Sequence, residues 1–160
     1  PALGRLFVTD PDGAETARLE PPTLAIPDEA AFRPIRVSAP LPPGRPVRVV
    51  ASRSHRTDAT DALIRRFGAD AALCPSGSSL KFCLIAAGEA DVYPRIGPTM
   101  EWDTAAAHAV LRAAGGRLET LDGTPLRYGK RGRPGEPDFL NPSFFATAAL
   151  SLPPDPERQP

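Results

Sequence analysis

Residues 97–116 limit what this chain can fold into more than any other stretch. They form an alanine-rich segment bounded by a Gly-Pro pair and a Gly-Gly pair. The first pair interrupts the preceding element and the second supplies a helix stop, so the pattern predicts a helix from about Trp102 to about Ala114. Helical spacing predicts a buried face made of Ala106, Ala109, Val110 and Ala113. Because this face is almost entirely alanine, a neighbouring element can approach the helix backbone closely.

The start of this helix carries the residues that could do chemistry. Trp102 is the only tryptophan, and we expect it to wedge under the first turn. Asp103 follows at the positive end of the helix dipole. Its carboxylate could satisfy free backbone N–H groups, which is the commoner use of a helix-opening aspartate. The alternative is an oxygen ligand for Mg²⁺ in a cleft. The two residues alone leave both interpretations open.

Strand and helix patterns alternate along the middle of the chain. Apolar runs predict strands at 47–52, 69–74 and 90–93, with the first buried on both faces. One intervening helix is predicted at 58–67, and a second is capped by Ser78 and stops at Gly88. Further strands are expected at 117–121 and 144–148. The predicted buried helix residues are Ala62, Leu63, Ile64 and Phe67, then Leu80, Cys83, Leu84 and Ala87. This alternation predicts an α/β fold.

The two ends of the chain look different. A strand is expected at 1–8, followed by a β-turn at Asp10-Pro11-Asp12-Gly13. Dense prolines over 20–46 exclude a long helix and indicate a surface excursion with short strands at 24–26 and 35–38. The proline-rich tail from Pro153 is expected to be disordered. We therefore divide the chain into 1–46, a domain at 47–152 and a tail at 153–160.

Composition removes several classes of function. Nineteen Lys and Arg residues balance nineteen Asp and Glu residues, so no net charge favours nucleic acid. Two cysteines, Cys74 and Cys83, form neither a zinc pattern nor a disulfide framework, and we expect them to be apolar filler in a cytoplasmic protein. No apolar run reaches the roughly 18 residues of a membrane span.

Several motifs occur in a specific order. Residues 101–116 read EWDTAAAHAVLRAAGG, and upstream lie SRSHR at 52–56, SGSSLKFC at 76–83 and DVYPR at 91–95. Together they resemble the inositol monophosphatase superfamily, and within it the 3'(2'),5'-bisphosphate nucleotidase branch. The resemblance covers about 47–146. It implies the C-terminal half of a layered α/β sugar phosphatase fold, with a mixed sheet and flanking helices.

The same resemblance implies roles for particular residues. It makes His55, Ser78, Lys81 and Arg95 substrate ligands and Asp103 a Mg²⁺ ligand. Taken alone, His55 is as readily a surface histidine, and Ser78 with Lys81 an ordinary cap with a solvated lysine. Arg95 best separates the nucleotidase branch from the inositol monophosphatases. A guanidinium suits a second phosphate, whereas inositol monophosphatases carry a glutamate near this position. His108 is expected to be a packing residue.

The activity implied is Mg²⁺-dependent removal of the 3'-phosphate from 3'-phosphoadenosine 5'-phosphate, a step of sulfur metabolism that leaves AMP. There are two alternatives. One is an inositol or fructose phosphate phosphatase, and the other is a non-catalytic remnant that binds nucleotide or a partner. The family carries its other metal ligands on an Asp-Pro-x-Asp-Gly-Thr motif. The turn at Asp10 lacks the spacer and the threonine, and Asp122-Gly123-Thr124 lacks the Asp-Pro, so both are read as turns. We therefore expect an inactive isolated chain that needs an N-terminal half or a second chain, with a homo-oligomer as a further possibility.

Overall fold

The computed structural model describes residues 4–19, 25–38, 44–52, 57–68, 70–148, 150, 151 and 153. The α-helices in these ranges are α1 (Asp58–Arg65), α2 (Leu80–Ala86) and α3 (Ala105–Ala113). The strands are β1 (Arg5–Asp10), β2 (Gly13–Arg18), β3 (Arg33–Ile35), β4 (Arg48–Ala51), β5 (Ala72–Pro75), β6 (Val92–Arg95), β7 (Thr99–Met100), β8 (Arg117–Thr120), β9 (Leu140–Asn141) and β10 (Phe144–Thr147). No helix of these described residues is long and apolar enough to cross a bilayer.

A five-stranded mixed sheet organises the molecule, with strand order β5-β4-β6-β10-β8. Strand β4 runs parallel to β5 and β6, whereas β10 is antiparallel to both of its neighbours. The β-branched run in β4 is buried on both faces, as predicted, because successive side chains point to opposite sides. Val49 packs with Ile64 and Phe67 beside α1, and Val50 belongs to the larger core on the other face. The predicted mixed sheet with flanking helices is confirmed.

The helices and a smaller sheet form the outer layers. Helices α2 and α3 pack against each other and against the large sheet, and the antiparallel sheet β1-β2-β3 covers α3. The predicted turn joins β1 to β2, with Asp10 paired to Gly13 in the register. Asp10 Oδ1 accepts the N–H groups of Asp12 at 2.8 Å and Gly13 at 3.0 Å, so this carboxylate is used within the turn.

The predicted buried face of α3 is wrong at Ala106 and Ala109 and right at Val110. The structure buries Ala107, Val110, Leu111 and Ala114, and leaves Ala106 and Ala109 exposed. Alanine is small enough to be tolerated on either face, whereas the fully buried Leu111 must lie over the core and sets the rotation of the helix. A Cβ at Gly116 would lie only 2.3 Å from Leu111 Cδ1, so glycine makes room for this leucine. Ala62 in α1 is likewise exposed.

Helix α2 also differs from its prediction. Its buried residues include Phe82, Cys83, Ile85 and Ala86, and Leu80, Leu84 and Ala87 are only half-buried. The N-cap is Ser79, whose side chain makes no capping hydrogen bond, and Ser78 precedes it with a left-handed φ of 51°. The sequence cannot separate adjacent serines, because either could serve as a cap. The proline-rich excursion contains β3 and a 3-10 turn at Glu29–Ala31, and no strand at 25–26 or 36–38.

Candidate active-site cleft

A cleft of about 360 Å³ lies at the carboxyl ends of the parallel strands. Ser52 follows β4, Ser78 follows β5 and Arg95 ends β6, and all three line it. Open α/β sheets bind ligands at this edge, because the strands end there and the following loops diverge. The described residues that line it are Ser52, Ser78, Ser79, Lys81, Phe82, Tyr93, Arg95, Thr99, Trp102, Asp103, Thr104 and Phe144.

Lys81 contributes a buried positive charge to this cleft. The residue is 3% exposed, and its ammonium lies 4.8 Å from the centre of the Tyr93 ring. Nζ donates hydrogen bonds to the carbonyls of Ser78 at 2.9 Å and Ser76 at 3.3 Å. Burial, and then the nearby charge of Arg95, lower the pKa of Lys81 to about 8. An ammonium has three N–H donors, so one donor is left for a ligand.

Arg95 places a second cation beside the first. Its Nη2 donates to the carbonyl of Pro98 at 2.9 Å, which holds the guanidinium against the loop that follows β6. Its Nε is buried and has no hydrogen-bond partner among the described residues. Burial raises the pKa of the adjacent Tyr93, and Arg95 opposes that rise. Two neighbouring cations without a bridging carboxylate favour an anionic ligand.

An aromatic cluster forms the inner surface of the cleft. Phe82, Tyr93 and Phe144 pack with ring centroids 5.3 to 5.9 Å apart, and Tyr93 lies nearly perpendicular to both phenylalanines. All three side chains are buried. Edge-to-face contacts of this kind stabilise a fixed arrangement, so Lys81 rests on a rigid surface.

The turn that leads into α3 also contributes to the cleft, through Trp102, Asp103 and Thr104. Trp102, predicted to wedge under the helix, is instead 66% exposed and packs beside Phe139, with ring centroids 6.2 Å apart. A 3-10 turn at Glu101–Asp103 precedes α3 and turns the indole outwards. Asp103 Oδ2 accepts the N–H of Met100 at 2.8 Å. The carboxylate therefore does satisfy a backbone donor, and the described residues leave its Oδ1 without a hydrogen bond.

The described residues do not by themselves form a Mg²⁺ site. Asp103 is the only carboxylate among the described residues that line the cleft. Within the part of the chain that the structure describes, no group of three or more His, Cys, Asp or Glu side chains could hold a metal. A single carboxylate does not retain Mg²⁺, which needs further ligands or a bound phosphate.

Four of the five residues singled out from sequence thus meet in one cleft: Ser78, Lys81, Arg95 and Asp103. The fifth, His55, lies outside the described residues. His108 is half-buried on α3, and its ring stacks on Tyr128 while Nδ1 contacts the Tyr128 hydroxyl at 3.0 Å. Cys83 is buried in the core, and the partly buried Cys74 packs against that core, as expected of apolar filler.

Sequence reasoning missed the hydroxyl groups on the wall near α3. Thr99 and Thr104 both line the cleft, and both accept a hydrogen bond from Asn141 Nδ2 at 3.3 Å. The position of Thr104 directly after Asp103 was a usable signal. No sequence signal pointed to Asn141, because it lies 37 residues beyond Thr104 in the chain.

Known proteins resemble this chain over much of its length. The sequence profile of the Inositol monophosphatase family matches residues 33–148. The 3'(2'),5'-bisphosphate nucleotidase CysQ of Salmonella typhimurium is 46% identical over 103 residues, which are 64% of this chain and 39% of that protein. An uncharacterized protein in the pss 5' region of Rhizobium leguminosarum bv. phaseoli is 69% identical over 70 residues, 44% of this chain and 74% of that protein.

A solved structure extends the comparison to the fold. CysQ from Bacteroides thetaiotaomicron superimposes with a TM-score of 0.68 at 35% identity, covering 92% of this chain and 55% of that one. The chain therefore spans about half of the CysQ proteins it matches, or less. Because the family profile covers most of the sequence and the fold agrees, this chain belongs to the inositol monophosphatase family.

Proposed function

We propose that the cleft binds 3'-phosphoadenosine 5'-phosphate, and that a protein containing this chain removes the 3'-phosphate to give AMP. The observation that carries this proposal is the pair of adjacent cations, Lys81 and Arg95, at the carboxyl edge of the parallel strands. A substrate with two phosphates can use both cations, whereas an inositol monophosphate has one phosphate and neutral hydroxyls. The similarity to the Salmonella nucleotidase supports the same choice.

Each residue has a distinct role in this proposal. Arg95 offers a planar fork of donors to one phosphate, and Lys81 offers a compact charge on a buried stem. The hydroxyl of Ser78 is a further donor at the rim, and His55 is a proposed nucleotide contact outside the described residues. Asp103 would supply one oxygen to Mg²⁺, with other ligands from beyond the described cleft. Bound Mg²⁺ would stabilise the charge that develops on the phosphoryl and leaving oxygens.

A second candidate is nucleotide binding without catalysis. The observation that favours it is that the described part of the cleft lining contains a single carboxylate. Under this alternative the cations would hold the nucleotide in the same way, and the chain would act as a binding module. Both candidates predict the same ligand and differ only in turnover.

Calorimetry on the 160-residue chain tests the shared ligand. We expect 3'-phosphoadenosine 5'-phosphate to bind at least about tenfold more tightly than inositol 1-phosphate, the difference of roughly one charge-assisted hydrogen bond. Lys81→Met should reduce this preference. Arg112→Gln is the matched control, because Arg112 lies exposed on α3 and does not line the cleft. Equal affinity for the two ligands, or no binding of the nucleotide, would contradict the proposal.

A further inference from the structure

Glu101 is a buried carboxylate next to the cleft that the roles above do not use. The residue is 8% exposed and does not itself line the cleft. Its Oε2 accepts the N–H of Gly129 at 2.7 Å. Its Oε1 accepts the N–H of Lys130 at 3.0 Å and lies 2.6 Å from Lys130 Nζ. The carboxylate therefore has three donors, all from residues 121–139, which connect β8 to β9 and which we call the rim loop.

The backbone of Glu101 makes a second connection to the rim loop. Its N–H donates to the carbonyl of Phe139 at 2.9 Å. Phe139 has a left-handed φ of 65°, a conformation that a bulky side chain rarely adopts and that surrounding contacts must maintain. This is the residue whose ring packs beside Trp102. Glu101 is therefore bonded to the rim loop at two places, at residues 129–130 through its carboxylate and at Phe139 through its backbone.

The cleft wall depends on the same connections. The Glu101 carbonyl accepts the N–H and the hydroxyl of Thr104, each at 3.1 Å. The Thr104 hydroxyl in turn accepts a hydrogen bond from the Tyr128 hydroxyl, in the rim loop, at 3.3 Å. Displacement of the rim loop would therefore alter Thr104 and Trp102 together, although the loop itself contributes no residue to the cleft lining.

We propose that Glu101 is a positioning residue: its carboxylate fixes the rim loop against the turn at Glu101–Asp103, and so orients Trp102 and Asp103 at the cleft. The effect on nucleotide affinity rests on the proposed function, whereas the effect on Trp102 does not. The three donors explain why a carboxylate is required. Glutamine would present an amide N–H₂ to at least one of them and leave that buried donor without an acceptor.

The sole tryptophan allows a direct test in the 160-residue chain. In Glu101→Gln we expect the Trp102 emission to shift and acrylamide quenching to increase, because the indole loses its fixed contact with Phe139. The amide hydrogens of Gly129 and Lys130 should exchange at least about tenfold faster, and 3'-phosphoadenosine 5'-phosphate should bind about tenfold more weakly, as expected for one lost charge-assisted bond. Glu136→Gln is the matched control, since it removes an ion pair to Arg133 within the same loop.

The readouts separate positioning from a merely structural role. Faster exchange at Gly129 and Lys130 with an unchanged Trp102 signal and unchanged affinity would overturn the proposal. If the wild-type chain binds no nucleotide, the proposed function fails. The Trp102 emission and quenching in Glu101→Gln then test by themselves whether Glu101 positions the turn at Glu101–Asp103. If Glu101→Gln does not fold, Lys130→Met replaces it, because this change removes only the ammonium and keeps both backbone donors. An unchanged Trp102 signal in Lys130→Met would then overturn the proposal.

Discussion

The ammonium of Lys81 combines burial with a position in a cleft, which makes its charge sensitive to pH. Its pKa is lowered to about 8, so the charge is present at neutral pH and is lost as the pH rises through that value. A free lysine keeps its charge to a pH about two units higher. Anion binding that depends on Lys81 should therefore weaken in mildly alkaline solution.

We predict that the affinity for 3'-phosphoadenosine 5'-phosphate falls about tenfold between pH 7.5 and pH 9.5, since each pH unit above the pKa reduces the protonated fraction about tenfold and the bound anion opposes the change. Calorimetry across this range measures the effect, and the phosphates stay fully ionised within it. Lys81→Met should bind more weakly at pH 7.5 and show little of this pH dependence. The same slope in both proteins would assign the titration to another group.

Arg95 should determine the choice between phosphorylated ligands. Arg95→Glu removes a charge-assisted contact and adds repulsion, which we predict weakens binding of the bisphosphate nucleotide by about 2–4 kcal/mol. The loss for inositol 1-phosphate should be much smaller, because its ring offers neutral hydroxyls. Paired titrations of both ligands measure the difference. Equal losses would mean that Arg95 supports the fold without selecting the ligand.

At the scale of elements, Asp91 connects three segments at the edge of the sheet opposite the cleft. Asp91 is 1% exposed and immediately precedes β6. It accepts hydrogen bonds from the side chain of Arg45 at 2.9 and 3.1 Å, and from the backbone and side chain of Arg48 at 2.8 to 3.1 Å. The end of the proline-rich excursion is thereby fixed to β4 and β6.

We predict that Asp91→Asn lowers the free energy of unfolding by about 3 kcal/mol, because two arginines lose the counterion that they share in a buried site. Denaturant unfolding measures the loss. Glu89→Gln is the control: it removes an exposed ion pair with Arg5 and should cost less than about 1 kcal/mol. A similar loss in both variants would show that Asp91 is no more important than a surface charge.

The pH dependence of Asp91 follows from the same contacts. Burial by itself would raise the pKa of Asp91. The hydrogen bonds from Arg48 and Arg45 outweigh this effect and lower the pKa to about 2. A carboxyl with a depressed folded-state pKa stabilises the fold above its unfolded pKa of roughly 4, and this contribution is lost as the pH falls to about 2. The difference in stability between the wild-type chain and Asp91→Asn should therefore shrink over that interval. A difference that is constant with pH would contradict this assignment.

At the scale of the whole molecule, the number of carboxylates in the cleft limits catalysis. Asp103 is the only one among the described residues that line it, so we predict that the 160-residue chain releases no phosphate from 3'-phosphoadenosine 5'-phosphate in the presence of Mg²⁺. A phosphate-release assay tests this, with the CysQ of Salmonella typhimurium as the positive control. Turnover by the chain that disappears in Asp103→Asn would contradict the prediction.

The sequence by itself indicated the strands and helices of the large sheet and the residues at the strand ends, but it did not indicate β2, β7 or β9. Hydrophobic patterns are local, so the runs around Val49 and Val92 indicated buried strands without any knowledge of their neighbours. Arg95 ends the strand that contains Val92, and Ser78 and Lys81 follow β5. Parallel pairing of β4 with both of these strands brings the three residues to one edge. The α/β class and four residues of the cleft were therefore accessible from the sequence.

Only the tertiary structure decided how these elements face one another. Leu111 sets the rotation of α3 through contacts that an alanine-rich helix does not reveal. The exposure of Trp102 and the burial of Lys81 depend on packing against Phe139 and Tyr93, which lie outside their own turns. Glu101 meets its amide donor 28 residues away. Local propensity cannot encode such pairs, because their free energy depends on burial that exists only after the chain has folded.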